Sequence, residues 1–338
     1  MLSSKWLRAS VGLLILASTL GAKVQPRRSR VQHRAKPAVT SDPAVVNDPK
    51  QTTDIGPGAK GSLVVRAQIL LDRANFSSAE IDGNYGKNFR NTVAAFQASR
   101  GLPQNGIIGQ ETWQALNADQ APAVQPYTIA PEDVAGPFET IPKDMMLQSK
   151  LPALGYESPL EGLAEKFHSS PKLLQQWNRG KSFDKAGESI MAPNVAGAPL
   201  PKAASVVVDG SDLSVSVLDE TGKVLAHFPA SVGSEHDPLP VGEWKILGVR
   251  RNPIFHYNPD LFWDADGKQS KAEIKPGPNN PVGVVWITLS KEHYGIHGTP
   301  EPSHIGYTQS HGCIRLTNWD AAKLADMVKP GTPALLKE

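Results

Sequence analysis

Residues Ile296–Leu316 read IHGTPEPSHIGYTQSHGCIRL. The stretch contains the only cysteine of the chain, Cys313, and three of its nine histidines, His297, His304 and His311. Working outward, the pattern on either side is β and then helix. Val284–Leu289 reads as a strand, and Thr317 precedes an apolar-periodic run over 321–325 as a helix cap, with Asp320 expected to answer it in a capping box. Further upstream, period-two runs at 205–208, 213–218, 223–228 and 244–247 predict short strands with turn signals between them. The region 204–338 is therefore expected to be a mainly β, sandwich-like domain with a C-terminal helix.

A neutral thiol is a poor nucleophile, because the thiolate attacks and a free cysteine ionises only near ~8.5. An imidazole nearby can take the proton. His311 lies two residues from Cys313, close but constrained by the chain. His297 lies sixteen residues away and approaches freely if the loop 298–310 folds back, so it is the expected base, with His311 shaping the site. The tight turn at Gly312-Cys313 is placed to offer backbone N–H groups as an oxyanion hole. Arg315 is suited to hold a carboxylate in bidentate fashion. Two other readings stand beside this one. His297, His304, His311 and Cys313 supply four zinc ligands, although no C-x-x-C or H-E-x-x-H spacing accompanies them. Alternatively Cys313 is a buried, inert residue among surface histidines.

The rest of the chain divides by composition. Residues 1–22 carry Lys5 and Arg8, an apolar run Val11–Leu20 and small residues after it, the pattern of a secretory signal peptide. Residues 23–60 are basic and then proline-rich, and are expected to be a disordered linker. Over 61–118 three short helices are expected, separated by the turns Asp82-Gly83-Asn84-Tyr85-Gly86 and Asn105-Gly106-Ile107-Ile108-Gly109. Over 126–196 a strand near Tyr127, helices at 160–167 and 173–178 and a strand at 187–193 form an α+β unit, with an insert near Phe138–Leu154. With 338 residues, 40% hydrophobic and 20% charged, the chain has material for several cores. Its net charge of +2 is too small to suggest nucleic acid. A single cysteine excludes an intrachain disulfide.

The motifs carry resemblances. The order helix, D-G-x-x-G turn, helix with Phe96-Gln97, N-G-x-x-G turn and Thr112-Trp113 resembles the small three-helix peptidoglycan-binding domain. The middle segment resembles a LysM module more weakly. His297-Gly298-Thr299 followed by Ser310-His311-Gly312-Cys313-Ile314-Arg315-Leu316 resembles the L,D-transpeptidase catalytic domain of the YkuD type. Pro240-Val241-Gly242-Glu243-Trp244 and the loop Pro276–Gly283 resemble further parts of it. The resemblance implies Cys313 as nucleophile and His297 as general base and acid, oriented by the Gly298 carbonyl, with Ser310, His311, Gly312 and Arg315 completing the signature. It implies a peptidoglycan tetrapeptide stem as donor, an amine as acceptor, and a crosslinked wall as product, with no cofactor and no metal. An L,D-carboxypeptidase or a catalytically inactive wall-binding protein are the alternatives. An exported protein of the periplasm or cell wall is implied, without a stable membrane span once the signal is cleaved.

Overall fold

The computed structural model describes residues 41–197, 199–263, 265 and 267–338. The expected signal peptide and the linker up to residue 40 lie outside the described residues. The rest of the expected linker, 41–60, is ordered, which corrects the reading of disorder. A short helix α1 (Pro43–Val46) buries Val46 beside Val65 and Ile69. Ile55 bridges to Ile108, and the Trp113 indole donates to the Thr53 carbonyl at 3.0 Å. Single apolar residues fill gaps of the neighbouring helices there, and an isolated residue leaves no periodicity to read.

Those helices are α2 (Ser62–Arg73), α3 (Lys87–Ser99) and α4 (Gln110–Leu116). Val64, Ala67 and Leu71 of α2 meet Phe89, Val93 and Phe96 of α3 and Trp113 of α4 in one core. The middle segment follows as β1 (Val124–Thr128), α5 (Met145–Gln148), α6 (Pro159–Lys166), α7 (Pro171–Trp177) and β2 (Ser189–Pro193). β1 and β2 pair antiparallel, Tyr127 against Ile190. α6 and α7 each start on a serine, Ser158 or Ser170, whose hydroxyl accepts a backbone N–H, with proline next in line.

The C-terminal region contains β3 (Ser205–Asp209), β4 (Ser214–Leu218), β5 (Val224–Pro229), β6 (Gly242–Arg251), β7 (Phe255–Tyr257), β8 (Ala272–Ile274), β9 (Val285–Leu289), β10 (Gly295–His297), β11 (Ile314–Arg315), α8 (Asn318–Met327) and β12 (Pro333–Lys337). Mainly β is right, but the antiparallel sandwich is corrected to one continuous eight-stranded sheet in the order β11-β10-β9-β6-β12-β3-β4-β5. The long β6 belongs to both halves. It pairs with β12 through Gly242–Lys245 and with β9 from Ile246 onward, across a register shift at Ile246/Gly248. Such a bulge bends a strand and curls its sheet. Val206, Val208, Val215 and Val217 from one half consequently share a core with Val285, Ile287, Ile296 and Ile314 from the other, and with Leu324 of α8. Two pairs, β12 with β3 and β10 with β11, are parallel. β7 and β8 form a separate hairpin.

The modules are welded together; from residue 41 onward the chain is a single compact unit. The insert packs Met145, Met146 and Leu151 with Leu154 onto Tyr257 and Ile274 of the β7–β8 hairpin. Asp72 of α2 is bonded by His168 of the middle segment at 3.0 Å and by Lys323 of α8 at 2.8 Å. Burial opposes the Asp72 charge, but His168 and Lys323 hold its carboxyl well below the usual range. The His168 ring stacks on Trp319. Thr317 caps α8 as expected, its hydroxyl accepting the Asp320 N–H. Asp320 does not complete a capping box. Its carboxylate instead takes the Ser77 hydroxyl across the module boundary at 2.8 Å.

Burial pushes Asp320 up to about 7 despite Lys323 nearby. Between the ordinary carboxylate range, near ~4, and about 7, the folded chain holds a proton that the unfolded chain releases. The Asp320 contribution to stability therefore falls as pH rises through that window. Asp72, shifted the other way, acts only at lower pH, and buried neutral histidines such as His297 act in the opposite sense below their unfolded value. From pH 5 to pH 7 the urea midpoint of the wild type should therefore fall relative to that of D320N, which has no titrating group at that position. A midpoint difference between the two proteins that does not change with pH would contradict the assignment.

Candidate active site

β10 and β11 lie side by side and parallel, with Ile296 opposite Ile314 and His297 opposite Arg315. Alternation sends Ile296 and Ile314 into the core, where both are fully buried. His297, Arg315 and Cys313, the residue before β11, therefore share the other face. Cys313 stands diagonally from His297, a separation that an imidazole can span. The chain leaves His297, runs out through residues 298–312 and returns to set Cys313 beside the same strand. The register creates this neighbourhood, and the neighbouring strand supports it. Trp286 of β9, paired with His297, stacks on its ring at 5.3 Å.

The imidazole Nδ1 lies 2.7 Å from the Gly298 carbonyl oxygen. A carbonyl only accepts, so Nδ1 carries the proton and Nε2 presents a lone pair. Burial, with the Arg315 charge adding to it and the bond to Gly298 opposing, pushes His297 down to about 3. The ring is neutral at physiological pH, as a proton acceptor must be. Cys313 is half-buried, and its thiol donates to the His293 carbonyl at 3.8 Å. Burial pushes the thiol up, with the Gly295 N–H and Arg315 pulling against it. The resting pair is thus a neutral thiol and a neutral imidazole. Neither of their hydrogen bonds joins sulfur to imidazole directly. Such contacts often tighten only when substrate is bound.

The other signature residues surround this pair. Buried Ser310 closes the turn, its hydroxyl donating to the Cys313 carbonyl at 2.5 Å. Gly312 has φ 91°, and a Cβ there would press on the Tyr294 ring at 2.8 Å, so the turn requires glycine. His311 stands edge-on to Phe262, ring centres 5.1 Å apart, beneath the β7–β8 hairpin. The Arg315 charge acts on both His297 and Cys313. His304 is turned outward, toward Glu301 at 3.1 Å. Among the described residues no three histidine, cysteine, aspartate or glutamate side chains converge on a metal position. Sequence reasoning missed Trp286 and Ser231. Trp286 had a signal, since it falls off the buried face of Val285, Ile287 and Leu289. Ser231, which pairs with Arg315 through its backbone, had none.

Residues 203–336 match the family described as YkuD, the L,D-transpeptidase catalytic domain. Residues 60–116 match PG_binding_1, described as "Putative peptidoglycan binding domain". The protein named "Putative L,D-transpeptidase YkuD" in Bacillus licheniformis is 32% identical over 176 residues, which cover 51% of this chain and 90% of that one. The chain belongs to the L,D-transpeptidase family. A second protein named "Putative L,D-transpeptidase YkuD", from Bacillus subtilis strain 168, is 31% identical over 175 residues, 51% of this chain and 90% of that one. A crystal structure of an L,D-transpeptidase from Xylanimonas cellulosilytica aligns at 17% identity and a TM-score of 0.35, covering 86% of this chain and 100% of that one. Neither family match reaches the middle segment.

A neutral resting pair has a kinetic signature in this transpeptidase. Alkylation of Cys313 by iodoacetamide should climb about tenfold per pH unit from pH 6 to pH 8, following the thiolate fraction. A plateau below pH 7 would reveal a preformed thiolate–imidazolium pair instead.

Proposed function

We propose that Cys313 and His297 carry out acyl transfer on a peptidoglycan stem peptide. The observation that supports this most directly is the parallel β10–β11 register, which puts a half-buried thiol and a neutral imidazole on one face. His297 Nε2 takes the thiol proton as Cys313 Sγ attacks the carbonyl between the third stem residue, a diamino acid, and the terminal D-alanine. The N–H groups of Gly312 and Cys313 receive the oxyanion charge. The C–N bond breaks, and the departing D-alanine amine takes the proton from His297. An amine of a second stem then attacks the thioester and gives its proton to the same imidazole. The thiol leaves protonated, and a crosslink between two third-position residues remains. Arg315 offers the nearby charge for a stem carboxylate.

The match at residues 60–116 supports peptidoglycan as the polymer engaged. Leaving aside the insert that holds α5, the middle segment's β1, α6, α7 and β2 are consistent with a LysM-like module, though a structural role serves equally well there. Wall engagement would concentrate the substrate around the site. An exported protein in the periplasm or wall, led there by the signal peptide, is the matching location. Among the described residues no helix is long and apolar enough to cross a membrane.

Mass spectrometry of muropeptides after incubation with the full chain tests the reaction. Crosslinked dimers and released D-alanine are expected. C313S should form no acyl-enzyme, and H297A should lose at least about a hundredfold in rate. Tripeptide product without dimers would show water as the acceptor, and full activity of C313S would remove the nucleophile assignment.

A further inference from the structure

The arc that joins the two reacting groups is gripped from two modules. From the β region, the Ser231 hydroxyl accepts the Gly306 N–H at 3.1 Å and donates to the His304 carbonyl at 3.4 Å. The Ser231 backbone also exchanges hydrogen bonds with Arg315 of β11, at 3.0 and 2.8 Å. One residue thereby ties the arc to the strand that follows Cys313. From the helical N-terminal module, Asn88 in the first turn of α3 reaches across and donates its side-chain N–H to the Ile305 carbonyl at 2.8 Å. Asn88 is buried there. The chain beneath it is shaped to receive it. Gly306 has φ +79°, and a Cβ would stand 2.2 Å from the Asn88 amide oxygen. Just beyond, a Cβ on Gly86 would stand 2.7 Å from the Tyr307 hydroxyl. Between the two surfaces only a cleft of about 80 Å³ remains, lined by Glu80, Asp82 and Asn84 on one side and Pro302 and Ser303 on the other.

We propose that Asn88 is a positioning residue for the reaction: the peptidoglycan-binding-type module fixes the 302–307 arc through this amide, and so sets how His297 and Cys313 face each other. The proposal rests on the assignment of those two groups as base and nucleophile. The physical reason is that both ends of the arc bear reacting groups while its middle has little regular structure of its own beyond one 3-10 turn, Pro302–His304. A free arc would spread over many conformations, and a misplacement of ~1 Å in a reacting group costs up to about a hundredfold in rate. A module serving only as a tether works through local concentration and requires no hydrogen bond to the arc. Here a buried amide of that module is spent on one carbonyl between the histidine and cysteine boxes.

The test uses the full chain and a soluble tetrapeptide stem, so that wall binding does not limit the rate. N88D keeps the shape but replaces the donor by an acceptor facing the Ile305 carbonyl. It should lower kcat about 10- to 100-fold, leave KM within about twofold, sediment with purified sacculi as the wild type does, and change the iodoacetamide rate of Cys313 at fixed pH. G86A is the gentler variant. Gly86 has φ −102°, which any residue adopts, so the fold should stand while the new methyl displaces Tyr307. It should lower kcat about two- to fivefold. Wild-type kcat in both variants would overturn the proposal, as would a rise in KM with kcat unchanged. If N88D does not fold, G86A decides alone. C313A is run in parallel, since turnover by it would sink the nucleophile assignment whatever the Asn88 variants show.

Discussion

Pairing β10 with β11 in parallel, His297 against Arg315, puts a thiol, an imidazole and a guanidinium on one sheet face while Ile296 and Ile314 anchor the other in the core. A shift by one residue would turn Cys313 and Arg315 inward and leave isoleucine facing the imidazole. The register is therefore held by hydrophobic burial, and the chemistry inherits it. Electrostatics follows from the same placement. Burial and the Arg315 charge both disfavour a protonated His297, and burial disfavours the thiolate despite Arg315. The resting site therefore pairs a neutral thiol with a neutral imidazole.

The surroundings keep two otherwise loose pieces in place. The β7–β8 hairpin, whose Phe262 meets His311, is braced from behind by Leu154 of the middle segment. The arc between the boxes rests on Asn88. Asp72, His168 and Lys323 pin the three modules to one another. The C-terminal sheet is thus packed against both the helical N-terminal module and the middle segment.

Much of this was legible in the sequence. Alternation marked Val206, Val208, Val215 and Val217 as one face, and the lone cysteine and remote histidine singled out in the sequence lie on neighbouring strands. Four things were hidden for physical reasons. β10 and β11 have three and two residues, too few for a periodicity, and their parallel closure is a tertiary event. The β6 bulge that turns an expected sandwich into one curled sheet depends on which partners each half of that strand meets. The apolar residues of the insert, Met145, Met146 and Leu151, look purposeless beside their own module because their partner is a hairpin more than a hundred residues later. Asp320 was expected to cap its own helix and instead serves Ser77, a choice that only packing across modules could make.

The neutral pair is tested most directly by nitrogen-15 NMR of the His297 imidazole in the resting full-length chain. A proton on Nδ1, a bare Nε2 and no titration between pH 5 and pH 8 are the expected spectrum. An imidazolium at pH 7, or a proton found on Nε2, would contradict the account at its centre.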